Sequence, residues 1–225
     1  MKTILFTALA VLMVAGVAGA ENIGSAMGSM TTAQSTGRGQ TSMGGTVGFT
    51  DYTTFAGTMA YGVGDHTDMR LRVGVADEEF FDMAFVVGGD VKVQIWDTAS
   101  ATTASSHPFD MAIGPFVEWT KWNAEGDGTT ASLSVFQMGG QITGSKTYQM
   151  DNGTTWTPYG QLNLRWERWN VDFDSSLGGG SADDSHLAAG MHAGVAWGVS
   201  RAVSLFGELQ IDGNDGLFMG LNYKM

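Results

Sequence analysis

The strongest constraint on the fold is a two-residue alternation along residues 81–97, FDMAFVVGGDVKVQIWD. Every second residue from Phe81 to Ile95 is apolar or glycine. The intervening positions include the polar side chains Asp82, Asp90, Lys92 and Gln94. Side chains of a β-strand point alternately to its two faces, so the run predicts a strand with one hydrocarbon face and one face that carries ions. The run is about three times as long as an average strand.

The same alternation recurs along most of the chain and predicts an all-β fold. Together with residues 81–97, the alternating runs are 40–50, 53–63, 69–76, 109–119, 131–143, 159–169, 186–199, 203–211 and 217–225. Each run can join the next by a hairpin, and closure would remove the apolar edges that an open sheet would expose. The sequence therefore predicts a closed, antiparallel, up-and-down barrel of about ten strands. Eight or twelve strands remain open alternatives, because residues 21–50 and 131–150 are ambiguous.

Two irregularities are expected within these runs. In residues 131–143, Leu133 and Val135 share one phase, whereas Phe136, Met138 and Ile142 take the other. A β-bulge near residue 136 would explain this change of phase. Proline cannot donate a hydrogen bond to a neighbouring strand, so Pro115 indicates a second bulge or an edge.

The N-terminal residues indicate export. Residues 1–20 combine Lys2, an apolar stretch and the small residues Ala18-Gly19-Ala20, a pattern typical of a cleaved signal peptide. Residues 21–39 are rich in Gly, Ser, Thr and Met without periodicity, and predict a flexible tail before a barrel of residues 40–225. The chain has no Cys, which excludes disulfides and a lipid-modified cysteine, and its net charge of −12 makes nucleic acid an unfavourable partner.

The distribution of ions and aromatics favours a barrel with its apolar face outward, in a membrane. Sparse charges of both signs on the polar face suit a narrow interior in which each ion needs a partner. The predicted lumen-facing ionic network is Arg70, Arg72, Asp82, Asp90, Lys92, Asp110, Glu118, Arg165, Glu167, Glu208 and Lys224. Aromatics near strand ends predict belts at the two membrane interfaces, formed by Tyr61, Phe81, Trp96, Trp119, Trp122, Tyr159, Trp169, Trp197 and Tyr223. The alternative is a soluble barrel that binds an oily ligand inside.

Three segments resemble a known family. They are Tyr61–Gly74 (YGVGDHTDMRLRVG), Gly194–Leu205 (GVAWGVSRAVSL) and Gly220–Met225 (GLNYKM). The chain resembles small bacterial outer-membrane β-barrels of the opacity/OmpA-barrel superfamily. The resemblance implies an outer-membrane location, lipid contact, and insertion by the barrel-assembly machinery through a final-strand signal at Gly220, Tyr223 and Met225. The family commonly ends in Phe, from which Met225 departs.

No residue pattern predicts a catalytic, metal or cofactor site. The most suggestive group is Asp183-Asp184-Ser185-His186, which combines acids and a possible base at a strand end. Adjacent residues in such a segment point in different directions, so we interpret it as an acidic surface. The sequence predicts a non-enzymatic barrel with a role in envelope structure or surface contact with an unidentified ligand. The alternatives are a narrow porin-like channel for small solutes and a hydrolase with a rim site.

Overall fold

The computed structural model describes residues 23–77, 82–98, 107–126, 129–175 and 178–225. Within these ranges the regular structure is entirely β, and no helix is long and apolar enough to cross a membrane. The strands are β1 (Thr41–Phe49), β2 (Thr53–Gly62), β3 (Thr67–Asp77), β4 (Ala84–Trp96), β5 (Asp110–Gly126), β6 (Thr129–Ser145), β7 (Tyr148–Gln149), β8 (Thr155–Ser175), β9 (Gly180–Gly198), β10 (Val203–Ile211) and β11 (Gly216–Lys224).

The sheet closes on itself. Each long strand pairs antiparallel with its neighbours along the chain, β6 pairs directly with β8, and β1 pairs with β11 to complete the circle. The short strand β7 pairs with the beginning of β8 and leaves the circle unchanged. The prediction of a closed antiparallel barrel with ten wall strands is confirmed.

The two ends of the barrel differ in their strands. At the end that holds Thr41 and Met225, here called the terminal end, neighbouring strands are offset by at most four residues: Thr155 of β8 pairs with Gly198 of β9, and Ser145 of β6 pairs with Tyr159 of β8. At the opposite, distal end, β5, β6, β8 and β9 continue beyond their neighbours. These four strands have 17, 17, 21 and 19 residues, whereas β1, β10 and β11 have 9 each. They form a sheet that projects past the rest of the wall.

The alternation follows the strands, but two expected bulges are absent. Residues 129–145 of β6 pair without a shift against both β5 and β8, and Pro115 lies in register opposite Gly140. The change of phase near residue 136 has another cause. Leu133 and Val135 face inward, because the distal half of the lumen is itself apolar. The register shift in the described wall lies between Gln94 and Trp96.

The described part of the expected flexible tail lies inside the barrel. Residues 24–29 and 33 are buried, and residues 23–36 run through the lumen from its distal half towards the terminal end. The chain then turns at Gly37–Gly39 and enters β1 at Thr41. We call residues 23–36 the lumen segment. A free tail was expected because its sequence has no periodicity, but it is held by contacts with distant wall residues.

Candidate functional site

The lumen contains most of the predicted ionic network. Eight of its side chains are buried: Arg72, Asp90, Lys92, Asp110, Glu118, Arg165, Glu167 and Glu208. Arg70 is half-buried, and it lies 2.7 Å from Asp90. Asp82 and Lys224 are exposed at the distal and terminal ends respectively, so the structure does not bring them into this network.

The wall ions are arranged in short pairs. Arg165 lies 2.6 Å from Glu167 and 3.4 Å from Asp212, and Lys92 lies 3.2 Å from Asp68. Sequence reasoning missed Asp68 and Asp212, because both stand next to turns, where the alternation that identifies an inward position stops. The carboxylates outnumber the cations, and the lumen segment supplies the remaining hydrogen-bond donors.

The distal half of the lumen segment donates backbone hydrogen bonds to three wall carboxylates. The Ile23 and Gly24 amides donate to Glu167 at 3.1 and 3.2 Å. The Ser25 amide donates to Asp212 at 3.0 Å. A third carboxylate, Glu118, accepts from the Ala26 amide at 2.7 Å and from the Ser25 hydroxyl at 2.8 Å. Hydrogen bonds to an ionised acceptor are stronger than hydrogen bonds between neutral groups, so these contacts hold the lumen segment against the wall.

Glu208 is the most heavily used acceptor in the middle of the lumen. Its Oε1 accepts from the Ser29 amide at 2.6 Å, and its Oε2 accepts from the Met30 amide at 2.8 Å and from the Ser29 hydroxyl. The Tyr159 hydroxyl also donates to Oε2 at 2.8 Å, and His192 Nδ1 lies 3.0 Å from Oε1. This one side chain therefore links the lumen segment to β8, β9 and β10.

The wall cations bind the carbonyl groups of the same segment. Arg70 donates to the Ser29 carbonyl, and Arg72 donates to the Gly28 carbonyl. Lys92 Nζ donates to the Thr32 and Gln34 carbonyls at 3.0 and 2.6 Å. Towards the terminal end, Asp68 accepts from the Ser35 hydroxyl at 2.8 Å and from the Thr36 amide at 2.9 Å. The N–H groups of the lumen segment thus bind buried carboxylates, and its carbonyl groups bind buried cations. Buried charges require such hydrogen-bond partners.

The distal half of the lumen is closed by an apolar cluster. Ala26 and Met27 of the lumen segment pack among wall side chains, and Met27 is 2% exposed. The other buried members of the cluster are Ala76, Ala84, Val86, Trp122, Val135, Trp169 and Val171. The segment therefore contacts hydrocarbon near the distal end and ions in the middle.

Three predicted interface aromatics face the lumen instead of the outside. Trp122, Tyr159 and Trp169 are 4%, 5% and 4% exposed. Their positions share the strand phase of buried ions, since Trp122 is four residues from Glu118 and Trp169 is two residues from Glu167. Their expected placement at a membrane interface is therefore wrong for a physical reason: strand phase, not proximity to a strand end, decides the face.

The other aromatics and the final strand take outer or rim positions. Tyr61, Trp197 and Tyr223 are exposed, Trp96 and Trp119 are half-buried, and Phe81 lies outside the described residues.

On β11, Gly220 pairs with Thr46 and Tyr223 with Met43, and the Met225 amide donates to the Thr41 carbonyl. The segment expected to carry the insertion signal therefore closes the barrel against β1.

Comparison with known proteins adds structural likeness at low sequence identity. No protein-family model matches the chain, and no curated protein is significantly similar to it. The structure is similar to the N-terminal β-barrel domain of OprF from Pseudomonas aeruginosa, with 9% identity, a TM-score of 0.38, and coverage of 84% of this chain and 99% of that one. It is also similar to the KdgM porin, with 10% identity, a TM-score of 0.43, and coverage of 81% and 98%.

A third similar structure is the translocator domain of the autotransporter NalP from Neisseria meningitidis, with 13% identity, a TM-score of 0.47, and coverage of 82% and 86%. These likenesses concern the fold. The architecture of this chain, with apolar side chains outside a closed wall and ions inside it, is that of a small outer-membrane β-barrel.

The acidic group on β9 is divided between the two faces of the projecting sheet. Asp183 is exposed and lies 3.3 Å from Arg168, whereas His186 faces inward with its Nε2 3.2 Å from Glu167. Ser185 is the neighbour of His186 on an extended strand, so the two side chains point to opposite faces. The arrangement lacks the contact between hydroxyl and base that nucleophilic catalysis requires. The described residues also contain no group of three or more His, Asp or Glu side chains that could hold a metal ion.

Asp212 joins the ionic network from the turn that follows β10. Burial by itself would raise the pKa of its carboxyl group. His192, whose Nε2 lies 3.7 Å from Asp212 Oδ2, and the charge of Arg165 outweigh burial, so the pKa stays below its ordinary value. An ionised Asp212 can therefore accept the hydrogen bond of the Ser25 amide.

The free space in the lumen is divided unequally. A cavity of about 310 Å³ lies at the terminal end, between the lumen segment and the wall. In the middle, the space between Arg72, Arg165 and His192 amounts to about 10 Å³. A single water needs roughly 10–15 Å³, and Arg165 and Glu208 in this region are each 1% exposed, so the middle of the lumen is filled by side chains and the lumen segment.

Proposed function

We propose that the chain is a non-enzymatic outer-membrane β-barrel whose lumen is closed by its own lumen segment. The outward apolar face supports membrane insertion, because side chains such as Leu71, Leu164 and Leu209 are more than half exposed on the wall. Burying one such side chain in hydrocarbon contributes about 1.5–3 kcal/mol. The matching segment on β11 supports insertion by the barrel-assembly machinery.

The terminal end faces the periplasm in this proposal, and the distal sheet faces the cell surface. Both ends of the barrel wall, Thr41 and Met225, lie at the terminal end, as expected for a chain exported by a cleaved signal peptide. The projecting sheet carries exposed acids, among them Glu125, Asp172 and Asp183. Its reach beyond the membrane supports a role in envelope structure or surface contact.

The observation that carries the proposal is the filled middle of the lumen. The test is the ionic conductance of the refolded mature chain in a planar bilayer, compared with a variant that lacks residues 23–36. We expect no discrete conductance steps from the mature chain and steps from the shortened chain. Steady channels from the mature chain would contradict a closed lumen, provided that both proteins show the heat-modifiable gel mobility of a folded barrel.

The terminal cavity favours one alternative, a narrow channel for small solutes. In that case the lumen segment would leave its position during transport, and the mature chain itself would conduct. A disulfide that ties the lumen segment to the wall would then abolish the conductance. The geometry of Ser185 and His186 gives no comparable support to a rim hydrolase.

A further inference from the structure

The cavity at the terminal end has the form of a ligand pocket. Its volume of about 310 Å³ lies at the lower end of the range of about 300–1,000 Å³ that small-molecule sites occupy. Space is available because the wall here carries Gly44 and Gly220, together with small side chains such as Ala60 and Ala196. Residues of the opening, including Arg201 and Lys224, place its mouth at the terminal end.

One side of the pocket offers polar groups without protein partners. Ser42, Thr46, Thr58, Ser204 and Asn222 share the inward phase of β1, β2, β10 and β11, and Ser204 pairs directly with Asn222. Ser42 is 6% exposed. Within the described part of the chain, none of these five side chains makes a hydrogen bond to another protein group. Their hydroxyl and amide groups therefore remain available to a ligand with several hydroxyl groups.

The mouth of the pocket is positively charged. Arg201 and Lys224 are exposed and have no ion-pair partner among the described residues, and the Lys224 amide donates to the Ala202 carbonyl beside Arg201. The deeper cations are already paired, Arg70 with Asp90 and Lys92 with Asp68. Among the charged side chains that line the pocket, the two cations at the mouth are thus the ones without an ion-pair partner, and they favour an anion.

An aromatic ring completes the pocket. Phe206 faces inward on β10 and lines the cavity, and its ring meets Tyr159 edge to face at a centroid distance of 6.3 Å. An aromatic face can pack against the C–H face of a sugar ring. From these three features we propose that the terminal cavity binds a sugar acid of one or two rings, with its carboxylate at Arg201 and Lys224 and its hydroxyls on the wall. The binding does not depend on conduction through the lumen.

The test is an NMR titration of the folded mature chain in detergent micelles, with the Asn222 side-chain amide as the reporter. D-Glucuronate is the probe. D-Glucose, which lacks the carboxylate, and acetate, which lacks the hydroxyls, are the matched ligands. We expect saturable shifts with D-glucuronate, at least tenfold weaker binding of glucose, and no saturation by acetate at the same concentrations. Equal binding of acetate and glucuronate would show an adventitious anion only and overturn the proposal.

Two variants separate the two halves of the site. The Arg201 Nε–H reports binding in the variant that replaces Asn222, and the Ser42 amide reports binding in the variant that replaces Arg201. The double variant Arg201→Gln, Lys224→Gln should weaken glucuronate binding about tenfold or more and leave glucose unchanged. Asn222→Leu should weaken both sugars. Lys146→Gln, at the same end but outside the pocket, is the charge control and should change neither. Loss of heat-modifiable mobility identifies a misfolded variant. A folded wild-type chain that does not bind glucuronate would refute the site while leaving the closed-lumen proposal intact.

Discussion

Replacing Glu208 by Gln tests how the lumen segment is held. Glu208 Oε2 accepts three hydrogen bonds and Oε1 accepts one from the Ser29 amide, while His192 Nδ1 lies within reach of Oε1. Gln has a single acceptor oxygen. If it takes the place of Oε2, its NH2 group faces the Ser29 N–H, donor against donor. One hydrogen bond to a charged group, worth about 1.5–3 kcal/mol, is then lost, and three others become neutral and weaker.

We take about 3 kcal/mol as the expected loss in the free energy that holds the segment against the wall. Local opening should then become about a hundredfold more frequent, because 1.4 kcal/mol corresponds to a factor of ten. The measurement is amide hydrogen exchange of Ser29 and Met30 in the micelle-embedded protein, which reports local opening directly. Protection of both amides should fall about a hundredfold, while amides of the β8–β9 ladder remain protected.

Glu125→Gln is the matched control, because Glu125 is an exposed acid on the distal end of β5 and makes no contact with the lumen segment. It should leave the exchange of Ser29 and Met30 unchanged. The reasoning is refuted if these two amides exchange without protection in the wild-type protein. It is also refuted if Glu208→Gln leaves their protection as it was.

Three further substitutions test the packing of the segment, the wall and the surface. Gly24→Ala should open the distal half of the lumen segment, because Gly24 has a positive φ of 77° and a Cβ there would overlap the backbone of the β10–β11 turn. The measurement is amide hydrogen exchange of Ser25, which should become faster. The control is Gly39→Ala, which should have a much smaller effect, because Gly39 has a similar φ of 74° but no atom within 4 Å of the added Cβ. Leu164→Arg, at a lipid-facing position that is 60% exposed, should lower the free energy of unfolding in lipid by about 2–4 kcal/mol in a urea titration, and an unchanged midpoint would contradict the membrane position of β8. Asp183→Asn should change the free energy of unfolding by less than about 1 kcal/mol, because its ion pair is exposed on the projecting sheet.

The wall of the barrel was predictable because its signal is local. Alternation identifies the face of each side chain within a few residues, and it placed Arg165, Glu167 and Glu208 inside without knowledge of their neighbours. The same rule applied strictly would have placed Trp169 inside as well. Its assignment to an interface came from its position near a strand end, a weaker criterion than strand phase.

The lumen segment was not predictable from its own residues. It has no periodicity, and its composition of Gly, Ser and Thr is equally typical of a mobile linker. Its partners lie far along the chain: Ser25 bonds to Asp212, and Ser29 to Glu208. One signal was available in the wall, where inward carboxylates outnumber inward cations. Unpaired buried carboxylates require donors from elsewhere.

The composition of the lumen segment follows from what the wall lacks. A buried carboxylate that has no cation needs N–H or O–H donors at close range, and a backbone approaches it most closely where the neighbouring side chains are small. Gly28 illustrates this limit, because a Cβ there would come within 3.0 Å of both Glu208 and Phe218. Met27, a large apolar residue of the lumen segment, lies where the wall turns Trp122 and other apolar side chains inward. A segment that looks unspecified by its own sequence is therefore specified by the wall, residue by residue, through charge where the lumen is ionic and through hydrocarbon where it is not.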